Sequence, residues 1–297
     1  MQYNLAIAPT TKKPLTQSSL TAPWTFLFQQ ISANFSLSTL LLAGACLQAI
    51  ALLVFQNHRY AFAPAFFLLG VKLVDSVLIA YNVRPNPYMK NVFLGRTTAF
   101  VPDEDGNLGD KREKVTVMLL GAKTNHPFGV FNSQFMKVGK WLGMMGDEFN
   151  ADQPPKGFLG QTNWERKDEN GAREFNFISY WRTIEDLHDY AHSPLHREAW
   201  LWWEKTLKEN NCIGINHEIF QADGGQWETV YANWQPNGLG ASTVLRKGDI
   251  FQNGVVGEQW ITPLVNAQKG KLAKSSARLG WDPIKYDADR PNGAAYA

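Results

Sequence analysis

Cysteine is scarce: Cys46 and Cys212 are the only two in 297 residues. One lies in an apolar run and the other before a strand-like segment, so no disulfide framework is expected. Two thiols are also too few for a cysteine-built metal site. The zinc-binding HExxH pattern is missing, as are the CxxCH attachment site of heme and the glycine-rich loops that cradle dinucleotides or ATP. With a net charge of +2 and no basic stripe, no nucleic-acid partner is expected. Internal repeats and low-complexity tracts are missing too.

Charge is absent from one long stretch. The 45 residues between Lys13 and Arg59 contain no Lys, Arg, Asp or Glu. Residues 1–81 hold four basic and one acidic side chain, against 25 and 26 in residues 82–297. Since about a quarter of the residues in a soluble domain are charged, the first 81 residues meet a different solvent. Ser38–Phe55 and Tyr60–Tyr81 are apolar runs near the roughly 20 residues that cross a hydrocarbon core. The separator QNHR is short enough to make them a helical hairpin, and the tyrosines at both ends of the second run suit the interface. Lys72 and Asp75, three apart on one helical face, are expected to pair. Trp24–Phe28 is expected to add an interfacial anchor. A cleaved signal peptide fits poorly, because the first run starts far from the N-terminus and no small-residue cleavage site precedes the second. The alternative is a pair of buried core helices. Lys12, Lys13, Arg84, Lys90 and Arg96 flank the hairpin outside, against Arg59 in its loop, which places both termini in the cytosol.

The expected organisation is a tail (1–37), a transmembrane hairpin (38–81), an irregular connector (82–113), a catalytic domain (114–239) and a C-terminal extension (240–297). The extension is expected to wrap the domain or cross to a partner. Within the domain, strands are expected at 114–121, 158–166, 173–183 and 212–221, with helices at 133–149 and 184–208. The turn DENG joins the middle strands as a hairpin. This order, β-α-β-β-α-β, predicts an α+β ferredoxin-like domain. A further strand is expected at 227–234.

Residues 173–203 (REFNFISYWRTIEDLHDYAHSPLHREAWLWW) hold three of the six histidines and four of the eleven tryptophans. Titratable rings beside large aromatic surfaces suit a pocket for a bulky, mostly apolar substrate. Ser193-Pro194 reads as an N-cap followed by a first helical residue, so a new helix starts there. The break divides the stripe of His188, His192 and His196 and spoils it as a zinc site. It leaves His192 just before, and His196 within, a helix N-terminus, where a neutral imidazole is favoured. These two are the first candidates for proton transfer, against the alternative that they only pack or cap. His217 shares a strand face with Ile213, Ile215 and Ile219, and Glu218 points the other way, so only one of the two faces a cavity. His126, in the loop NHPFG, and Asn125, a donor for a developing oxyanion, occupy a loop where pocket residues are common. One of Tyr180 and Trp181 faces the pocket. Trp203 is a further wall candidate and shares a helical face with Trp200, with Trp202 elsewhere. Ordinary core packing is the competing role for each aromatic.

The strand order, the FxSYW strand and the "AHSPLHREAW" helix together resemble the antibiotic-biosynthesis-monooxygenase superfamily of dimeric α+β barrels. With the N-terminal hairpin, the chain is most similar to membrane-anchored monooxygenases of fungal polyketide and terpenoid gene clusters. The resemblance covers about residues 114–235. It implies a homodimer that inserts oxygen into a hydrophobic polyketide or terpenoid intermediate, with molecular oxygen as co-substrate and no metal or flavin. The implied location is the endoplasmic reticulum membrane, with the catalytic domain facing the cytosol. Other branches of the group bind heme, for which His217 or one of the three clustered histidines is the candidate ligand, or isomerise and cyclise their substrates. A cofactor-free cyclase or isomerase, and a non-catalytic membrane-tethered binding protein, therefore stand as alternatives.

Overall fold

The computed structural model describes residues 4–14, 31, 34–54, 60, 62–109, 113–169, 171–247 and 257–281. They belong to two compact units, one spanning residues 22–91 and the other combining 1–21 with 92–297.

The smaller unit carries helices α1 (Leu37–Val54) and α2 (Ala63–Ala80), 18 residues each. Each rises about 27 Å, close to the thickness of a hydrocarbon core. Both are long and apolar enough to cross a membrane, and none of their residues is buried. Buried core helices are therefore not what these segments form. The expected Lys72–Asp75 pair gives way to another: the Asp75 carboxylate accepts from the Arg84 guanidinium. The chain reverses beyond α2, with Asn82 at φ 58° and the Val83 and Arg84 amides donating to the Leu78 carbonyl. That turn brings a long cationic side chain back along the helix. The expected anchor at Trp24–Phe28 lies outside the described residues.

The larger unit begins its regular structure inside the segment expected to be an irregular connector, with β1 (Phe93–Ala99). There follow β2 (Val115–Thr124), α3 (Ser133–Asn150), β3 (Phe158–Lys167) and β4 (Arg173–Trp181). Helices α4 (Ile184–Ala191) and α5 (Pro194–Thr206) then lead into β5 (Ile213–Ala222). The four strands from β2 to β5 form an antiparallel sheet in the order β3-β4-β2-β5, the arrangement expected of a β-α-β-β-α-β chain.

Residues directly opposite one another across a ladder share a face. Trp181 lies opposite Thr116, Phe175 opposite Ala122, and His217 opposite Leu120. This face carries the helices. Trp181, fully buried, packs with Leu187 and Tyr190 against Met118, Phe149 and Phe158, while Ala122 and Ile213 pack on Phe135 and Val138 of α3. Asn132 caps α3 by accepting from the Gln134 and Phe135 amides.

On the other face, Val115, Val117, Leu159 and Tyr180 meet Ala99, Val101, Leu239 and Leu264. Here a second sheet runs β6-β1-β9, with β6 at Tyr231–Trp234 and β9 at Leu264–Asn266. A small ribbon pairs β7 (Val244–Arg246) with β8 (Gln259–Ile261). The strand expected at 227–234 is reduced to β6, because Thr229 meets β1 through its side chain. Its hydroxyl accepts from the Ala99 amide at 2.7 Å, and its carbonyl accepts from the Thr98 hydroxyl at 2.7 Å. The N-terminal residues add to this layer: Leu5 bridges Val265 and Thr10 bridges Trp260.

Candidate functional site

The helical region after β4 is two helices, of which only the first is opened by a side-chain cap. Thr183 opens α4, its hydroxyl accepting from the Asp186 amide at 3.0 Å. The helix closes at His192, whose backbone leaves helical geometry (φ −99°, ψ 4°). Ser193 is extended (φ −61°, ψ 155°), and Pro194 opens α5 with the fixed φ that suits a first helical residue. The break expected at Ser193-Pro194 is present. It assigns His188 and His192 to the end of α4 and His196 to the first turn of α5.

These rings have different surroundings. His192 is exposed, its Nδ1 2.8 Å from the His188 carbonyl oxygen and its ring 4.3 Å from that of His188. His196 is half-buried. Tyr190 stands edge-on to it at 6.0 Å. Among the described residues, His196 Nδ1 and Ser193 Oγ are buried atoms without a hydrogen-bond partner. Burial lowers the His196 pKa below its ordinary 6.5. The Ala191 carbonyl opposes this, and His192 and His217 add to it. The imidazole is therefore neutral near pH 7, the form that accepts a proton.

His217 reaches this neighbourhood from the edge strand. From Thr206 back to His196, α5 rises about 15 Å. That distance equals some four to five strand residues beyond Ile213, in keeping with a His217 close enough to His196 to lower its pKa. Trp200 follows His196 by four residues and so lies on the same side of α5. It is 47% exposed, and Ile215 and Ile219, on the His217 face of β5, are 42% and 39% exposed. Trp200 is thus a partly exposed apolar surface beside His196, and the two isoleucines are such surfaces beside His217.

Behind His196 the support is rigid. The Tyr190 hydroxyl donates to Glu148 Oε2 at 2.9 Å, and its ring packs 5.5 Å from Trp181 and 4.9 Å from Phe149. Burial and the neighbouring Glu148 carboxylate hold the Tyr190 phenol protonated, far above its usual range.

The other candidates lie elsewhere. Trp181 is fully buried core under the site, and its indole donates to Ser179 Oγ at 3.0 Å. Trp203 packs with Trp202 in the cluster around Ala122, Phe135 and Ile213, while Trp200 stays outside it. The sequence pattern pairs Trp203 with Trp200; the breadth of the packed helix face pairs it with Trp202. Glu218 faces away from the helices, opposite Leu119. Tyr180 is on that same far face, its pKa raised by burial and partly restored by the Leu239 backbone. Asn125 and His126 follow β2, five and six residues past Leu120, which lies opposite His217, and hence roughly 17–20 Å along the sheet from it. There His126 Nδ1 accepts from the Phe128 amide at 3.1 Å, and the Asn125 amide donates to the Cys212 carbonyl at 2.7 Å. The structure thus gathers His192, His196 and His217, and leaves His126, Asn125, Tyr180 and Glu218 apart from them. Trp200, Tyr190 and Glu148 join the site although the sequence does not single them out as site residues. Only Trp200 carries a signal, its spacing from His196.

Residues 115–239 match the family model described as monooxygenase af470-like. A search of characterised proteins finds the monooxygenase af470 of Aspergillus fumigatus, 32% identical over 251 residues, covering 84% of this chain and 89% of that protein. Among solved structures, an aldoxime dehydratase aligns at 17% identity and a TM-score of 0.36, over 50% of this chain and only 36% of its own length. SnoaB, a cofactor-independent oxygenase from Streptomyces nogalater, aligns at 17% identity and a TM-score of 0.25, over 37% of this chain and 93% of its own. At these scores the structural likenesses carry no inference about activity.

Proposed function

Because the chain belongs to the af470-like monooxygenase family, we propose that it oxidises a hydrophobic polyketide or terpenoid intermediate in the groove between α5 and β5. The observation that carries this is the half-buried His196, held neutral by burial in the first turn of α5, with His217 close enough to lower its pKa and the partly exposed Trp200 one turn on. His196 takes a proton from an activated carbon or hydroxyl of the substrate. His217 stands across the groove to return or relay it, and His192 tunes His196 through its charge. Trp200 offers a flat face for a ring system, and the isoleucines exclude water beside the reacting carbon.

With molecular oxygen as co-substrate and no bound cofactor, the electrons come from the substrate itself. An activated methylene and one molecule of dioxygen give a carbonyl and one molecule of water. One oxygen atom enters the product, and the other leaves as water with the two hydrogens of the methylene. Deprotonation raises the electron density of the substrate, which is the contribution a base at His196 makes. In this proposal α1 and α2 anchor the enzyme in the endoplasmic reticulum membrane with the domain on the cytosolic side. A substrate dissolved in lipid is thereby concentrated near the enzyme. A homodimer fits the half-open outer face of the β3-β4-β2-β5 sheet, where Phe220 and Trp164 remain more than half exposed.

Replacing His196 by alanine in the full-length enzyme is expected to lower turnover about 10²–10⁴-fold, the usual worth of a positioned acid or base. His217→Ala is expected to lower it by a smaller factor. Unchanged turnover in His196→Ala, with the protein still folded, would remove this histidine from the chemistry.

A further inference from the structure

We propose that the membrane hairpin is an insertion within the catalytic domain, and not an anchor appended ahead of it. Residues 4–14 form part of that domain, so that residues 14 and 92 lie on one side of the bilayer and α1 and α2 cross it together. This rests on the membrane anchoring proposed above and adds to it a topology fixed by folded contacts instead of by counted charges.

The observations concern the N-terminal strap. The Ala6 amide donates to the Leu264 carbonyl at 2.8 Å, and Thr10 and Trp260 exchange both of their backbone hydrogen bonds, at 3.0 and 2.7 Å. Asn4 accepts from the Asn266 amide at 3.1 Å. The strap thus pairs with β8 and β9, near the other end of the described chain. Lys13 then crosses to α3. Its ammonium group donates to the Asn150 carbonyl at 3.1 Å and to the Ala151 carbonyl, and stands 5.1 Å over the Trp260 ring. The last carbonyls of a helix lack intrahelical donors and carry partial negative charge, so a cation there is favourable. Burial lowers the pKa of this lysine, as befits a side chain partly withdrawn from water. The strap accordingly belongs to the same compact unit as residues 92–297.

Two pieces of one packed domain cannot stand on opposite sides of a hydrocarbon core roughly 30 Å thick. A chain that leaves such a domain and returns to it must cross an even number of times. Of the topologies open to two membrane-length helices, that removes every one in which a single helix crosses. It also revises the meaning of the flanking charges. Lys13 caps α3, Arg84 pairs with Asp75, and the Arg96 guanidinium donates to the Ala273 carbonyl at 2.9 Å. Three of the five cations that flank the hairpin are therefore engaged by the fold itself.

The test uses the full chain in sealed microsomes, with Cys46 and Cys212 replaced by serine. Single cysteines are introduced by Ala8→Cys in the strap, Asn57→Cys between the helices and Glu104→Cys in the domain, and each is treated with a membrane-impermeant maleimide. Positions 8 and 104 are expected to label together, and position 57 only after the membrane is opened. Labelling of 8 and 104 from opposite sides would overturn the insertion. Labelling of all three from the same side would overturn the crossing itself, and with it the membrane anchoring. In a second measurement, Lys13→Ala is expected to raise proteolytic cleavage within residues 4–14 about tenfold, as local opening becomes easier. A strap already cleaved at the same rate in the unaltered chain would also count against the proposal.

Discussion

At the residue scale, the proposed chemistry turns on one imidazole. His196 lies where burial, and the charges of two neighbouring histidines, all disfavour its protonated form. Its folded pKa is below the 6.5 of the unfolded chain, so the unfolded state binds the proton more readily. The resulting stability is therefore present above pH 6.5 and is lost as the pH falls from there through the folded value. Thermal melts of the full-length enzyme are expected to show this loss on acidification, and His196→Asn is expected to flatten it. The same sign governs rate. kcat/KM is expected to rise with pH and reach its plateau before 6.5, and an inflection above 6.5 would mean that a different base is titrating. What makes His196 legible in the sequence is local, since Ser193-Pro194 dictates a helix start. The hydrogen bond from Tyr190 to Glu148 is not legible there. Its partners are 42 residues apart and meet only once α3 and α4 pack on one sheet.

At the element scale, the α4–α5 corner is held by one cap and one ring. Thr183→Ala removes the hydroxyl that receives the Asp186 amide and is expected to cost about 1 kcal/mol, the usual value of such a cap. Trp181→Ala removes a fully buried indole from the stack of Phe149, Phe158 and Tyr190. Its expected cost is about 3–5 kcal/mol, with loss of the platform beneath His196. Denaturant titration of the two variants checks the ranking, and a costlier Thr183→Ala would contradict the packing. Strong periodicity makes β2 to β5 and α3 readable from the sequence. Strand β1 is hidden because Gly95 and its threonines give it no apolar pattern, and because its partners β6 and β9 lie more than 130 residues along the chain. The shortened β6 is hidden for a related reason: nothing local announces that the Thr229 side chain will take over from its backbone.

At the scale of the whole molecule, the charge-free stretch and the histidine-rich corner belong to one design. The two apolar helices are visible in composition alone, since Ser38–Phe55 is free of charge and Tyr60–Tyr81 carries only Lys72 and Asp75. That the two ends of the hairpin return to a single folded domain is visible only in three dimensions, through the strap on β8 and β9 and the lysine that caps α3. In the proposed membrane topology, a domain rooted at both ends of the hairpin stays at the lipid in which an apolar substrate dissolves. The central claim, that this family member inserts oxygen and does not merely bind or rearrange its substrate, is tested most directly by growth under oxygen-18. Extracts of cells with and without the gene would be compared by mass spectrometry. A gene-dependent product carrying one oxygen-18 atom from O2, with accumulation of the unlabelled precursor when the gene is absent, is the expected result. A gene-dependent product with no label from O2 would contradict the account and leave the groove to a cyclase or isomerase.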